Sequence, residues 1–198
     1  MIVYGPTEEP LDPVRYLTNR STGVMGKKLV SAAQKKGHAV VSVECPKDAR
    51  TASDLLRLLR KLSRKCDVLI MAAAVCDFRP ALVSLSKIKK NTALTLRLLK
   101  NPDILATLAS HKKESQVFIG FAVESSAPKK YAILKMKKKK LDAIVVQKVG
   151  EGHNPFGPVL SSGTFLFSKG VSVPFQGWPK ARVAATLIRV AENILKQR

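Results

Sequence analysis

The chain has 198 residues, 45% apolar and 25% charged, with a formal net charge of +21 and a pI near 10.2. That is the size of one domain with a proper hydrophobic core, and no stretch is long and apolar enough to span a bilayer. Its three cysteines, Cys45, Cys66 and Cys76, fall in no metal-ligating or redox spacing; they read as small core or surface residues of a reducing, cytoplasmic setting rather than a disulfide framework.

Met1–Tyr4 reads as a short buried strand, reached with no basic leader before it. Pro6, Pro10 and Pro13 then forbid regular helix through Gly5–Asn19. From Gly23 to Lys36 the apolar residues Val24, Met25, Leu29, Val30 and Ala33 recur at helical spacing, and Gly37 ends the helix. His38–Glu44 is a valine-rich strand. Ser53 and Asp54 are candidate caps for an amphipathic helix running to about Arg64, and the apolar run Asp67–Ala74 has the look of a strand covered on both faces.

The rhythm then breaks. Phe78–Ser86 is irregular and Leu94–Leu98 alternates apolar with polar, so Lys87–Leu99 is expected to form a β-ribbon or flap. Asn101, followed by Pro102 in the favoured first helical position, is expected to cap a short helix. Gln116–Ala122 and Leu141–Gln147 are two more buried strands, separated by a lysine-rich helix around Ala127–Lys140. Gly150–Gly163 is a glycine- and proline-rich loop, Thr164–Ser168 a late strand, and Pro179–Lys196 a closing helix with Val183, Leu187, Val190 and Ile194 on one face.

Strand and helix in alternation are the grammar of an α/β fold: a Rossmann-like, doubly wound, mostly parallel sheet with helices on both faces, here in a single domain over 1–198 with a projecting β-ribbon at about 81–99. Such sheets bind ligands beyond the carboxyl ends of their strands, near the switch point. The loops to search are therefore Gly5–Gly26, Val75–Lys90, Phe121–Ala127 and Gln147–Phe156. The excess charge is spread over the chain, in pairs and runs such as Lys87–Lys90 and Lys137–Lys140, with no zinc finger or aromatic-interleaved basic strand. Solvated helix faces and attraction of phosphorylated ligands explain it as well as nucleic acid does.

Within the first of those loops, Thr22-Gly23-Val24-Met25-Gly26 puts two glycines at a helix entrance. Free amides and the positive end of the helix dipole make an anion site there, with Ser21 and Thr22 adding hydroxyls; tight packing is the competing explanation for the glycines. The string is not the GxGxxG dinucleotide fingerprint, because the loop before it is too long for that fingerprint's tight first turn. No Ser-His-Asp or Cys-His set is visible, and His38, His111 and His153 are scattered.

The whole string Gly5–Gly26 (GPTEEPLDPVRYLTNRSTGVMG) resembles the N-terminal signature of bacterial phosphopantothenoylcysteine synthetase, the synthetase domain of the bifunctional coenzyme A biosynthesis flavoprotein, here standing alone. Ala72–Pro80 (AAAVCDFRP) leading to Lys87–Lys90 resembles the family's next signature. Asn101–Leu105 (NPDIL), Gly120–Ser125 (GFAVES) and the lysine-rich helix before Leu141-Asp142 follow in the family's order.

The resemblance implies a ligase that joins phosphopantothenate to cysteine through an acyl-cytidylate, turning CTP into CMP and pyrophosphate, with magnesium and without flavin. It implies catalytic roles for Asn19, on the acyl-nucleotide, for Lys87, on the triphosphate, and for Arg15, on acyl or phosphate groups. Ser21, Thr22, Gly23 and Gly26 would form the phosphate and substrate loop. The nucleotide would meet Met71, Ala72, Ala73 and Asp77, then Asn101, Pro102, Asp103 and Ile104, then Phe121, Lys135 and Lys139, with Asp77 the candidate metal ligand. Read from the residues alone, Asn19 is a turn residue, Lys87 a solvated lysine, Asp77 a helix cap and Phe121 core packing.

The resemblance also implies a homodimer with the ribbon reaching the partner copy, and a separate phosphopantothenoylcysteine decarboxylase, since the chain opens on the synthetase strand. It implies no membrane association and argues against nucleic acid as a partner. The chain departs from the family at Gly5-Pro6, where two glycines are usual, at Gln147-Lys148, where an asparagine-aspartate pair is usual, and at Ser161–Ser162, where an asparagine is usual. Of these, the Gln147-Lys148 departure is the best case for a non-catalytic or differently used nucleotide-binding domain; the charge is the only case for a basic nucleic-acid-binding protein.

Overall fold

A computed structural model describes residues 1–90, 93–150 and 152–198. In chain order the strands are β1 (Ile2–Pro6), β2 (Glu8–Pro10), β3 (Tyr16–Thr18), β4 (Ser42–Glu44), β5 (Val68–Ala74), β6 (Phe78–Pro80), β7 (Leu98–Lys100), β8 (Val117–Glu124), β9 (Ala143–Lys148), β10 (Ser161–Phe167) and β11 (Ser172–Trp178). The helices are α1 (Val24–Lys35), α2 (Ala52–Leu62), α3 (Ile104–Ala109), α4 (Pro128–Lys138) and α5 (Lys180–Lys196).

Seven strands make one sheet in the order β11-β10-β9-β8-β5-β1-β4. Pairing is parallel from β4 to β9 and antiparallel for β9-β10 and β10-β11. The chain leaves β1 for β4 on one side, then crosses back to β5, β8 and β9, so the order reverses between β1 and β5. The expected doubly wound, mostly parallel α/β fold is therefore present.

Strand alternation builds two cores. Val3, Leu69, Met71 and Phe118 point to the face covered by Leu55 and Leu59 of α2, Ile104 and Leu108 of α3, and Met136 of α4. Ile2, Tyr4, Ile70 and Ile119 point to the other face, covered by Leu29 and Ala33 of α1 and by Val183, Leu187 and Ile188 of α5. Each fully buried aliphatic side chain contributes about 1.5–3 kcal/mol of transfer free energy. Among the described residues no helix is long and apolar enough to cross a membrane.

Four local expectations are corrected. The strand over His38–Glu44 shrinks to Ser42–Glu44: β4 is an edge strand whose single neighbour, β1, pairs with it only over Ile2–Tyr4. The proline-rich loop carries the two-stranded ribbon β2-β3, and β11 tolerates Pro174 because it lies at the sheet's other edge. The first long helix after β4 is capped by Thr51, in a reciprocal capping box with Asp54, rather than by Ser53. The ribbon expected at Lys87–Leu99 is confined to β7 pairing with β6 (Phe78↔Lys100, Pro80↔Leu98); residues 87–90 and 93–97 form no strand, and Asn91 and Thr92 lie outside the described residues, as does Glu151 of the loop at 150–163.

Candidate functional site

Because β1, β5, β8 and β9 run parallel, the loops leaving their carboxyl ends collect at one edge of the sheet, and a cavity of about 600 Å³ opens there. That is an ordinary volume for a small-molecule site.

One wall is the entrance to α1. Gly23 starts the helix in the left-handed region (φ 72°), with no side chain capping the helix and no acid in its first turn. The first-turn amides are thus left for an anion. Gly26 serves packing instead. A Cβ there would lie 2.0 Å from Cβ of Tyr4, so its lack of a side chain lets α1 rest directly on β1. Anion-site geometry and tight packing thus divide between the two glycines.

Asn19 precedes this entrance and is stapled to the end of β5, its Nδ2 donating to the Ala74 carbonyl at 3.0 Å and lying 3.9 Å from the Cys76 sulfur. Buried Thr7 organises the corner: its amide donates to Ala74, its hydroxyl accepts the Cys76 amide at 2.9 Å, and its carbonyl accepts the Thr18 hydroxyl at 2.8 Å. Burial pushes the Cys76 thiol up, only partly offset by the contact with Thr7, and burial pushes Cys45 up to about 12. These are protonated, structural thiols, not nucleophiles.

The opposite wall descends from β5 to α3. Asn101 does not cap the helix, as its sequence position suggested. Its amide is buried and committed, donating to Glu9 Oε1 at 3.0 Å and to the Cys76 carbonyl at 2.9 Å. The cap is Asp103, whose Oδ1 accepts the Ala106 amide at 3.1 Å. The same oxygen pairs with Lys139 at 3.1 Å, and Lys135 pairs with Glu124 at 2.6 Å, so both lysines reach the rim from α4 and its C-terminal end.

The cavity is lined by Asn19–Gly26, Met71–Asp77, Lys100–Leu105, Phe121, Lys135 and Lys139. It thereby gathers Asn19, Ser21, Thr22, Gly23, Gly26, Met71, Ala72, Ala73, Asp77, Asn101, Pro102, Asp103, Ile104, Phe121, Lys135 and Lys139. Arg15 and Lys87 do not line it. Arg15 is engaged by Asp12, and Lys87 is exposed on the segment beside them. Among the described residues no cluster of three His, Cys, Asp or Glu side chains could hold a metal by itself. Asp77, exposed at the mouth, is a single carboxylate, which suits magnesium arriving largely on a ligand's phosphates.

Sequence reasoning missed Lys180, which lines the cavity together with Pro155, Phe156 and Gly157. A signal was available: Lys180 is the first residue of α5, where the helix dipole opposes a cation.

The family profile of the DNA/pantothenate metabolism flavoprotein C-terminal domain matches residues 1–195. A protein from an unknown prokaryotic organism, named a cysteine/cysteine sulfinic acid decarboxylase, is 35% identical over 198 residues, covering 93% of this chain and 55% of that protein. The coenzyme A biosynthesis bifunctional protein CoaBC of Escherichia coli strain K12 is 37% identical over 171 residues, covering 79% of this chain and 42% of that protein. The chain thus spans about half the length of the curated relatives it matches. Among solved structures, the C-terminal domain of the coenzyme A biosynthesis bifunctional protein CoaBC aligns with a TM-score of 0.79 at 27% identity, covering 100% of this chain and 95% of that one.

Proposed function

This chain belongs to the family of the DNA/pantothenate metabolism flavoprotein C-terminal domain, and from that premise we propose that it is a coenzyme A biosynthesis ligase joining phosphopantothenate to L-cysteine with CTP as activating cosubstrate. The observation that carries the reading is convergence. Five motifs scattered from Asn19 to Lys139 line one cavity, which offers a helix entrance for phosphate, an anchored amide and a lysine-bearing rim.

In the proposed reaction a carboxylate oxygen of phosphopantothenate attacks the α-phosphorus of CTP and pyrophosphate leaves. The cysteine amine then attacks the acyl carbon, CMP leaves with the electron pair, and the amine loses a proton. No electrons are transferred, so the reaction asks for no flavin. The protein's share is positioning and charge stabilisation. The open amides of α1 and the ammonium groups of Lys135 and Lys139 would meet phosphate oxygens, and Asn19, held against Ala74, would orient the acyl-nucleotide. Magnesium would neutralise phosphate charge, with Asp77 the carboxylate at hand.

Steady pyrophosphate release from CTP that requires both phosphopantothenate and cysteine tests the reading; no release, with magnesium present, overturns it. Tight CTP binding without turnover would instead support a non-catalytic nucleotide-binding domain. That alternative draws on Arg15 and Lys87 lying outside the cavity lining.

A homodimer would resolve the position of Lys87. The segment that carries it exposes Leu82, Leu85, Leu94 and Leu96, an apolar surface suited to a second copy, so that Lys87 of one copy would serve the cavity of the other. Mixing the impaired Asn19→Asp and Lys87→Ala proteins should then raise product formation above that of either alone; mixtures that stay impaired would place Lys87 elsewhere.

A further inference from the structure

The buried acids of this fold have partners. Asp12 holds Arg15, Asp142 holds Lys112 and Arg198, and Glu9 accepts from the Ala52 amide and Asn101. Among the described residues Lys180 is the buried cation, and like Glu9 it has no oppositely charged partner. It is 7% exposed, and its ammonium donates only to neutral oxygens, the Pro155 carbonyl at 2.6 Å and the Ser161 hydroxyl at 3.3 Å. Among the described residues no carboxylate pairs with it. Burial pushes its pKa down, the signature of a charge without compensation.

Position adds a second cost. Lys180 is the first residue of α5, whose N-terminus already carries partial positive charge. One thing makes both features favourable: an anion.

The surroundings are built for one. Lys36 and His38, just beyond the last turn of α1, contact Glu192 near the C-terminal end of α5 at 3.4 and 2.8 Å. The two helices therefore run side by side in the same direction, and their N-termini open at the same edge of the sheet. Neither N-terminus has a side-chain cap or an acid in its first turn. On the rim across the cavity, Lys135 and Lys139 are already neutralised by Glu124 and Asp103, whereas Lys180 is not.

We propose that Lys180 is a phosphate-binding residue, its ammonium and the amide ends of α1 and α5 forming a receptor for a phosphate group of the ligand that fills the cavity. The identity of that ligand rests on the ligase reading, which supplies two phosphate sources, CTP and phosphopantothenate.

Calorimetric titration of wild-type protein, Lys180→Met and Lys180→Gln with magnesium-CTP, cytidine, phosphopantothenate and pantothenate tests this. Affinity for CTP or for phosphopantothenate should fall roughly tenfold or more in both variants, as expected for loss of a charged hydrogen bond. The member of that pair lacking phosphate should bind as to wild type, which identifies the source. Without ligand, Lys180→Met should melt no lower than wild type, because an apolar side chain replaces an uncompensated buried charge.

The proposal is overturned if both phosphate ligands bind the variants as they bind wild type. It is also overturned if Lys180→Gln, which keeps a donor for Pro155 without the charge, restores wild-type affinity. Equal losses for cytidine and CTP, together with a lower melting temperature, would reduce Lys180 to a structural strut and overturn it too. Failure of the ligase reading is distinguishable: wild-type protein would then bind phosphates through Lys180 yet release no pyrophosphate.

Discussion

Asp12 grips the guanidinium of Arg15 with one carboxylate oxygen, 3.0 Å from Nε and 2.6 Å from Nη2, and both residues hold the backbone of Ile88. The Ile88 amide donates to Asp12 at 3.1 Å, and Arg15 donates to the Ile88 carbonyl at 2.6 Å, contacts spanning 76 and 73 residues of sequence. The peptide beside Lys87 is therefore anchored by the first motif of the chain.

Burial pushes the Asp12 carboxyl up, but the amides of Val14 and Ile88 and the Arg15 side chain outweigh it and hold the group well below the usual carboxylate range. A depressed folded-state pKa stabilises the fold above the unfolded value of about 3.9, and this contribution is lost as pH falls toward the folded one. Asp12→Asn should speed exchange of the Ile88 amide at pH 7. It should also narrow the stability gap between pH 7 and pH 3 in urea melts; an unchanged gap would remove Asp12 from the acid response.

Asn19→Asp replaces a donor to the Ala74 carbonyl by a carboxylate that cannot donate. The variant should still consume CTP to form the acyl-nucleotide, while amide formation slows by about 10²-fold, the scale for losing one well-placed donor. Single-turnover assays separate the two steps. An unchanged rate of product formation would take Asn19 out of the second step.

Gly26→Ala drives a methyl group to 2.0 Å from Cβ of Tyr4, an atom fixed by the backbone that no side-chain rotation moves away. The variant should lose about 1–3 kcal/mol of stability as α1 lifts from β1. Because the same shift moves the helix entrance, CTP affinity should fall in parallel. Wild-type stability in a urea titration would show that the sheet yields instead.

Lys139→Ala frees Asp103, which remains the cap of α3, so the fold should hold. KM for CTP should rise roughly 3- to 10-fold with kcat little changed, the pattern of a contact made equally before and during reaction. A fall in kcat at constant KM would instead assign Lys139 to the transition state.

Much of this protein follows from local pattern. The apolar run through Val68–Ala74 becomes a strand buried on both faces, and the stripes of α2 and α5 become the faces that cover the sheet. The break in rhythm from Phe78 coincides with the chain leaving the seven-stranded sheet, although Phe78–Pro80 is itself a short strand, β6, rather than irregular. Periodicity suffices for these because it records which side of an element avoids water. The helix entrance at Ser21–Gly26 was readable from its glycines, although only the packing on Tyr4 separates the role of Gly26 from that of Gly23.

Tertiary structure decided the rest. Asn101 looked like a cap and became a buried bridge between Glu9 and Cys76, because its partners come from β2 and from the loop after β5. Arg15 went to Asp12 and Ile88 instead of the cavity. Lys180, marked in the sequence only by its place at the start of α5, ended up buried in the lining of the cavity that the entrance to α1 also lines. Each outcome depends on strand order, which non-local pairing sets and no window of sequence contains: only when β1, β5, β8 and β9 lie side by side do their loops, and the charges they carry, share one space.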